Sequence, residues 1–461
     1  MSSIITLLYL ASGIFFILSL RGLSHPTTAY RGGLYAICGM ITVIISTLLL
    51  NYSFNYLLII VAIVIGATIG ISITKKVQMR SLPQLIAAFH SLVGASAVIT
   101  SLAIFYNPSM VHIGAKTLSS ISLVEMGISI LIGGITFSGS LYAALKLQGL
   151  LKGNNITFPR QMNLTLLVAL LTVACIISFI ISPGINLLII ITILSITLGL
   201  LIIFPIGGGD MPVAISLMNS SSGMATVAVG FTLSNLALII VGSLVASSGA
   251  ILSYIMSVGI NRSILNILSG KIISTDTANH NSKVDKQYKQ GNGDDAAFML
   301  QNASNVIIVP GYGMAVAQAQ YAVKELADLL KEKNVNVRYA IHPVAGRMPG
   351  HMNVLLTEAN VDYEDIYELE EINNEFQVTD IVFVIGANDV TNPSAREDTS
   401  SPIYGMPILN VDKSNLVMFI KRSMNTGYSG IDNPLFYNEK TMMLLGDAKE
   451  ITESILQSLK S

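Results

Sequence analysis

The sequence predicts a multi-span α-helical membrane domain followed by a Rossmann-like α/β domain with a parallel sheet. Three observations predict it. Apolar runs near the roughly 20 residues needed to cross a bilayer fill the first part of the chain. Acidic residues are almost absent from that part and abundant after it. Beyond residue 305 short β-rich runs alternate with helical ones, the pattern of a doubly wound sheet.

The chain of 461 residues is 52% hydrophobic and 11% charged, against about 25% charged in an average soluble protein. Mean hydropathy is +0.65. These values exclude a disordered chain, a disulfide-stapled secreted domain and a basic nucleic-acid binder, so nucleic acid is not an expected partner. Cys38 and Cys175 lie in apolar runs and suggest neither a disulfide framework nor a zinc site. The net charge of -1 is a cancellation. Up to residue 270 ten bases face two acids, Glu125 and Asp210, for a charge of +8. The remainder has sixteen bases and twenty-five acids, for −9. This places a boundary near Gly270. A membrane domain is expected over 1–270, a polar linker with little to bury over 271–296, and a cytoplasmic domain over 297–461.

Nine spans are expected, over residues 4–20, 34–50, 56–73, 82–106, 120–145, 164–181, 185–204, 211–233 and 236–258. The first reads as uncleaved, because it lacks a basic n-region and more spans follow. Lys and Arg favour the cytoplasmic side. Alternate loops hold Arg21 and Arg31; Lys75, Lys76 and Arg80; Lys146, Lys152 and Arg160; then Arg262 and Lys271 after the last span. The opposite loops hold only Lys116. The N-terminus is therefore expected outside, and everything after Gly270 in the cytoplasm.

Polar groups at depth are the candidates for transport. His90 sits well inside the fourth span, and histidine titrates near neutral pH. It reads either as a proton carrier or as a neutral histidine bonded to a neighbouring helix. Glu125, about a turn and a half into the fifth span, marks a proton entrance or snorkels to the interface. Asp210 follows Gly207-Gly208-Gly209 and also suits a helix N-terminus. The eighth span is the most polar, with Ser216, Asn219, Ser220, Ser221, Ser222 and Thr226. Asn219 needs a partner, so it faces other helices or water. The run 246–250 in the ninth span, and Gly66 with Gly70 in the third, read as packing surfaces. No residues resemble a potassium filter.

In the second half, strands are expected over 306–309, 335–341, 380–385, 406–411 and 442–445. Between the first two, Gly311-Tyr312-Gly313-Met314-Ala315-Val316 opens an amphipathic helix with Val316, Ala319, Val323, Leu326 and Leu330 on one face. Strand, Gly-x-Gly, helix is a dinucleotide fingerprint. An NAD site usually has an acid at the end of the second strand. Here that strand ends in Ile341-His342-Pro343, while Arg347 and Lys421-Arg422-Ser423 supply cations suited to a 2′-phosphate, which favours NADP. A solvated basic turn is the plainer alternative for them. The loop Gly386-Ala387-Asn388-Asp389 follows a strand end, and the glycine-rich 427–434 loop has the composition of a lid.

Residues 309–320, 342–356, 386–393 and 421–425, with 88–91 and 209–219 in the membrane half, resemble the β subunit of proton-translocating NAD(P) transhydrogenases. The likeness runs through essentially the whole chain. It implies an enzyme that passes hydride from NADH to NADP while protons cross the membrane inward. It implies NADP(H) on this chain and NAD(H) on a partner α subunit. It further implies a second copy of the complex, membrane lipid around it, and a bacterial cytoplasmic (inner) membrane. The nucleotide lies reversed on the sheet in such proteins, so the Gly311/Gly313 motif would not hold the pyrophosphate in the usual sense. Lys421, Arg422 and Ser423 would grip the 2′-phosphate, and Arg347 would help hold the phosphates. Asp389 would lie near the nicotinamide. Gly427, Tyr428, Ser429, Gly430, Asp432 and Asn433 would cover the cofactor. His90 and Asn219 would line the proton path, with Asp210 and Arg262 at its cytoplasmic side. The rival from another class is an ion transporter or channel gated by a nucleotide-binding domain.

Overall fold

The computed structural model describes residues 2–23, 26–49, 56–108, 119–151, 156–269, 287–401, 403–425 and 431–460. The chain divides into two compact units, Met1–Ile206 with Ala214–Leu252, and Gly207–Val213 with Ser253–Ser461.

Among the described residues, nine helices are long and apolar enough to cross a membrane. They are α1 (Ser2–Leu23), α2 (Pro26–Leu48), α3 (Tyr56–Lys76), α4 (Leu82–Tyr106), α5 (Ser120–Leu147), α6 (Gln161–Ile181), α7 (Ile185–Ile203), α8 (Met211–Thr232) and α9 (Leu236–Gly259). α2 opens at Pro26, well before the expected apolar run, so Arg31 lies in a helix and not in a loop. Proline suits a first helical turn, where its missing N–H has no intrahelical acceptor.

Small residues set the packing of the first unit. A Cβ at Gly94 of α4 would lie 2.5 Å from the Phe137 nitrogen of α5, and one at Gly199 of α7 would lie 2.9 Å from Ile135 Cα. α5 is thus held at backbone contact on two sides, which only small residues permit. The 246–250 run behaves as expected: a Cβ at Gly249 would lie 2.5 Å from the Ser220 nitrogen of α8. Gly66 and Gly70 meet no partner among the described residues of this chain. A Cβ at either would meet nothing within 4 Å, and no residue of α3 is buried. A GxxxG spacing permits close approach but supplies no partner of its own.

The short helix α10 (Ile264–Ser269) follows α9. Then come β1 (Lys289–Gln290), α11 (Gly293–Gln301), β2 (Asn305–Pro310), α12 (Tyr312–Ala317), α13 (Gln320–Glu332), β3 (Asn336–Ile341), α14 (His351–Glu358), β4 (Ile366–Glu368), α15 (Leu369–Ile372), β5 (Ile381–Ile385), α16 (Ser394–Glu397), β6 (Leu416–Lys421), β7 (Thr441–Leu445) and α17 (Ala448–Lys460). All seven strands pair in parallel, in the order β1-β7-β6-β5-β2-β3-β4. Both faces of the sheet are covered by separate apolar clusters. This is why β2, β5 and β6 read as unbroken apolar runs rather than alternating ones.

Three sequence expectations change. Residues 406–411 form no strand; the strand is Leu416–Lys421. Pro407 lacks a ladder donor, and the segment's backbone groups go to turns, to the Val390 carbonyl and to side chains instead. The carbonyls of Pro407 and Ile408 accept from His342 and Asn373, and the Asn410 N–H donates to Asn373 Oδ1. The amphipathic helix is two helices, broken where Gln318 takes a left-handed φ of 54°. The expected polar linker includes regular structure. Residues 271–286 lie outside the described ones, but β1 follows, and α11 opens at a capping box in which Asn292 and Asp295 bond each other's backbone.

Candidate functional site

In an open α/β sheet, ligands bind beyond the carboxyl ends of the strands, where the order reverses. Here that point lies between β2, from which the chain runs out to β3 and β4, and β5, from which it runs the other way. The two strand ends are tied together. Gly311 N–H donates to the Ile385 carbonyl (2.9 Å) and Gly313 N–H to the Gly386 carbonyl (2.9 Å). A Cβ at Gly313 would lie 2.6 Å from Gly386 Cα, and Gly386 itself has φ +72°. The Gly-x-Gly spacing is therefore used for backbone-on-backbone packing, and both N–H groups are engaged in it. Gly313→Ala is expected to cost about 1–3 kcal/mol by overpacking, read as a lower melting temperature.

A cleft of about 420 Å³ opens at this point, lined among others by Gly313, Val316, Gly386, Lys421, Arg422 and Ser423. Ala387, Asn388, Gly446 and Ala448 also line it. The structure thus brings the Gly-x-Gly turn, the loop after β5 and the cations after β6 to one place. Lys421 Nζ donates to the Asn425 carbonyl (2.8 Å) and sits 4.2 Å from the centre of the Phe436 ring. Burial pushes its ammonium below the usual value, opposed by the carboxylates of Asp389 and Asp432. Arg422 is 62% exposed, with Asp447 at 3.4 Å. A half-buried ammonium beside a reachable guanidinium is a ready anion cradle. A larger groove, of about 550 Å³, lies at the β3–β4 edge, but Glu364, Glu368, Glu371 and Glu375 line it. That charge repels phosphate.

Asn388 Nδ2 donates to Asp389 Oδ1 (3.1 Å). The loop after β5 is tied to the end of the 427–433 segment, for Asn433 Nδ2 donates to the Asn388 carbonyl and Asn392 Nδ2 to the Asp432 carbonyl. Gly427, Tyr428, Ser429 and Gly430 lie outside the described residues. Met314 and Ala315 are buried under the turn. Arg347 is not in the lining of the cleft; its guanidinium lies 4.2 Å from the ring centre of Tyr312, between the two glycines.

Two histidines that the motifs do not single out bracket the loop carrying Arg347. His342 Nε2–H donates to the Pro407 carbonyl (2.8 Å), and its Nδ1 accepts from Val344 N–H (3.2 Å). His351 Nδ1 accepts from Arg347 N–H (3.1 Å). Burial pushes each imidazole down to about 4, with the Arg347 charge adding to it for His351. Both are neutral acceptors at neutral pH. In the sequence they lie within the 342–356 run, at either end of a loop with two glycines.

In the helical unit, His90 Nδ1 lies 3.0 Å from Ser222 Oγ of α8. Ser222 Oγ–H donates to the Asn219 carbonyl (2.7 Å), so the imidazole supplies the proton of the first bond from Nδ1. Nothing in the sequence sets Ser222 apart from the other serines of α8. No hydrogen bond among the described residues joins Glu125 or the Asn219 amide to His90. Lys146, expected as a loop base, is buried, and its Nζ donates to the Ile206 carbonyl (2.8 Å). Asp210 and Arg262 form an ion pair at 2.5 Å, with side chains 10% and 19% exposed. Burial raises the Asp210 carboxyl; the Arg262 charge and hydrogen bond oppose it.

The family described as NAD(P) transhydrogenase beta subunit matches residues 5–458. Two relatives named NAD(P) transhydrogenase subunit beta, both from Rhodospirillum rubrum and one from a named strain, are each 53% identical over 454 residues. Each alignment covers 98% of this chain and 98% of the relative. The chain is a multi-pass membrane protein and belongs to the NAD(P) transhydrogenase beta subunit family.

Proposed function

We propose that this chain is the NADP(H)-binding, proton-conducting subunit of a transhydrogenase whose α subunit holds NAD(H). The observation that carries the nucleotide assignment is the Lys421–Arg422–Ser423 segment at the switch-point cleft, with no acid at the end of β3. When bound, the two nicotinamide nucleotides supply the hydride chemistry between themselves, so no side-chain nucleophile is required. The donors present fit an anionic group. Lys421 and Arg422 hold the 2′-phosphate, with Ser423 beside them. Arg347 helps hold the phosphates, Asp389 lies toward the nicotinamide, and the segment ending at Asp432 and Asn433 covers the cofactor. Because the Gly311 and Gly313 N–H groups are already bonded to the end of β5, the nucleotide takes its phosphate contacts elsewhere, in keeping with a reversed orientation.

In the membrane, His90 carries the proton, with Asn219 and Glu125 on its path and the Asp210–Arg262 pair on the cytoplasmic side. The same reading takes 1–270 as the membrane domain, 271–296 as the connection whose last residues already enter β1 and α11, and 297–461 as the nucleotide domain. It places the chain in a bacterial inner membrane with its C-terminal domain in the cytoplasm. The complex works as a pair, embedded in lipid, with protons moving inward as NADP is reduced. Family membership gives no support to a nucleotide-gated ion channel.

The test is steady-state kinetics of the α/β complex carrying Lys421→Ala and Arg422→Ala. Two charge-assisted bonds of about 1.5 kcal/mol each predict a rise of about 100-fold in KM for NADP. KM for NADH should not move. An equal rise for both nucleotides, or none for NADP, overturns the assignment.

A further inference from the structure

We propose that His351 is a positioning residue for the nucleotide, holding the turn that presents Arg347 by accepting the Arg347 main-chain N–H. The proposal rests on the reading above that Arg347 holds phosphate. The turn joins β3 to α14, and two of its residues, Gly346 (φ +114°) and Gly350 (φ +67°), take left-handed backbone. Glycines at such positions adopt the turn without strain but give the chain many other conformations to explore. Something must select one.

His351 is placed to do so. Its Nδ1 accepts from Arg347 N–H at 3.1 Å. The missing side chain of Gly346 makes room for the imidazole, for a Cβ there would lie 2.7 Å from both Cβ and Nδ1 of His351. The residue is 1% exposed. Its ring lies 6.1 Å from the Tyr312 ring, which in turn carries the Arg347 guanidinium at 4.2 Å. Tyr312 thus locates the head of the arginine while His351 locates its backbone.

The tautomer separates this role from simple packing. With Nδ1 accepting, the ring proton is on Nε2, and Nε2 is buried with no hydrogen-bond partner among the described residues. A buried unsatisfied donor destabilises a core, so an apolar ring or leucine would pack there at lower cost. What the imidazole supplies that they lack is the Nδ1 lone pair. Burial keeps it unprotonated at neutral pH, with a pKa of about 4.

The experiment is steady-state kinetics of the complete complex with His351→Leu, His351→Asn, Arg347→Ala and the double variant His351→Leu/Arg347→Ala. His351→Leu is expected to raise KM for NADP about tenfold, the worth of one hydrogen bond, with KM for NADH unchanged. His351→Asn, whose amide oxygen replaces Nδ1 as acceptor, should restore most of it. The double variant should be no worse than Arg347→Ala alone, because both act through one group. If Arg347→Ala raises KM for NADP but His351→Leu does not, the positioning role is wrong. It is equally wrong if asparagine is no better than leucine, or if the two effects multiply. If Arg347→Ala leaves KM for NADP unchanged, the phosphate role of Arg347 fails first, and the positioning role with it. Should the leucine variant not accumulate, His351→Gln replaces it. Its amide reaches the Nε2 position and not Nδ1, so equal KM values for the glutamine and asparagine variants overturn the proposal.

Discussion

Reconstituted vesicles carrying His90→Ala are expected to lose the proton movement coupled to hydride transfer, read in the reverse direction as NADPH reduces an NAD analogue. A potential of 100 mV supplies about 2.3 kcal/mol per proton, roughly fifty-fold in an equilibrium constant. That energy biases a change of state only if proton binding differs between the states. The carrier must therefore sit where its partners can change. His90 is on α4, and its Nδ1 partner is Ser222 on α8, a different helix. The serine hydroxyl is already committed to the Asn219 carbonyl one turn earlier, so the bond uses the imidazole proton. A shift of α8 against α4 breaks it and changes what the imidazole can donate. Alanine removes both the titratable group and the link. The measurement is the quenching of a pH-sensitive dye as NADPH and an NAD analogue react, with an uncoupler as control. Unimpaired acidification in the variant would sink the assignment of His90 as carrier.

Much of this arrangement is legible in the sequence, and the rest is hidden for identifiable reasons. The nine spans follow from run length and sparse charge, because the bilayer imposes a length on every helix. β2 and β5 follow from unbroken apolar runs beside glycines. Residues 406–411 have the same apolar texture as Leu416–Lys421, but Pro407 and the side chains of His342 and Asn373 take the first segment out of the ladder. Local texture does not record a tertiary acceptor. For the same reason Ser222 is one serine among several in α8 until α4 brings His90 to it. The Gly-x-Gly turn lies at the switch-point cleft, but the glycines serve the contact with Gly386. In α3 the small-residue spacing is present, and among the described residues of this chain nothing packs against it.

The ion pair of Asp210 and Arg262 joins residues 52 positions apart in one of the two compact units. Removing one member of such a pair leaves an unpaired charge in a site with little solvent, which costs about 3–5 kcal/mol. Arg262→Leu is therefore expected to lower the melting temperature in detergent. The double change Asp210→Leu/Arg262→Leu should recover most of it, because the pair offsets its own desolvation with little surplus. Stability and coupling then part company: the double variant should fold and bind NADP yet fail to couple hydride transfer to protons. Acid gives an independent check. Burial already raises the Asp210 carboxyl despite Arg262, so between its ordinary value and the raised one the folded protein binds more protons than the unfolded chain. Stability from this group accordingly rises as pH falls through that window. Without Arg262 the opposing charge is gone and the window widens upward. The deficit of Arg262→Leu relative to the parent should thus shrink between pH 8 and pH 5. A deficit that stays constant with pH, or a double variant as unstable as the single one, would show that the pair does not govern this part of the fold.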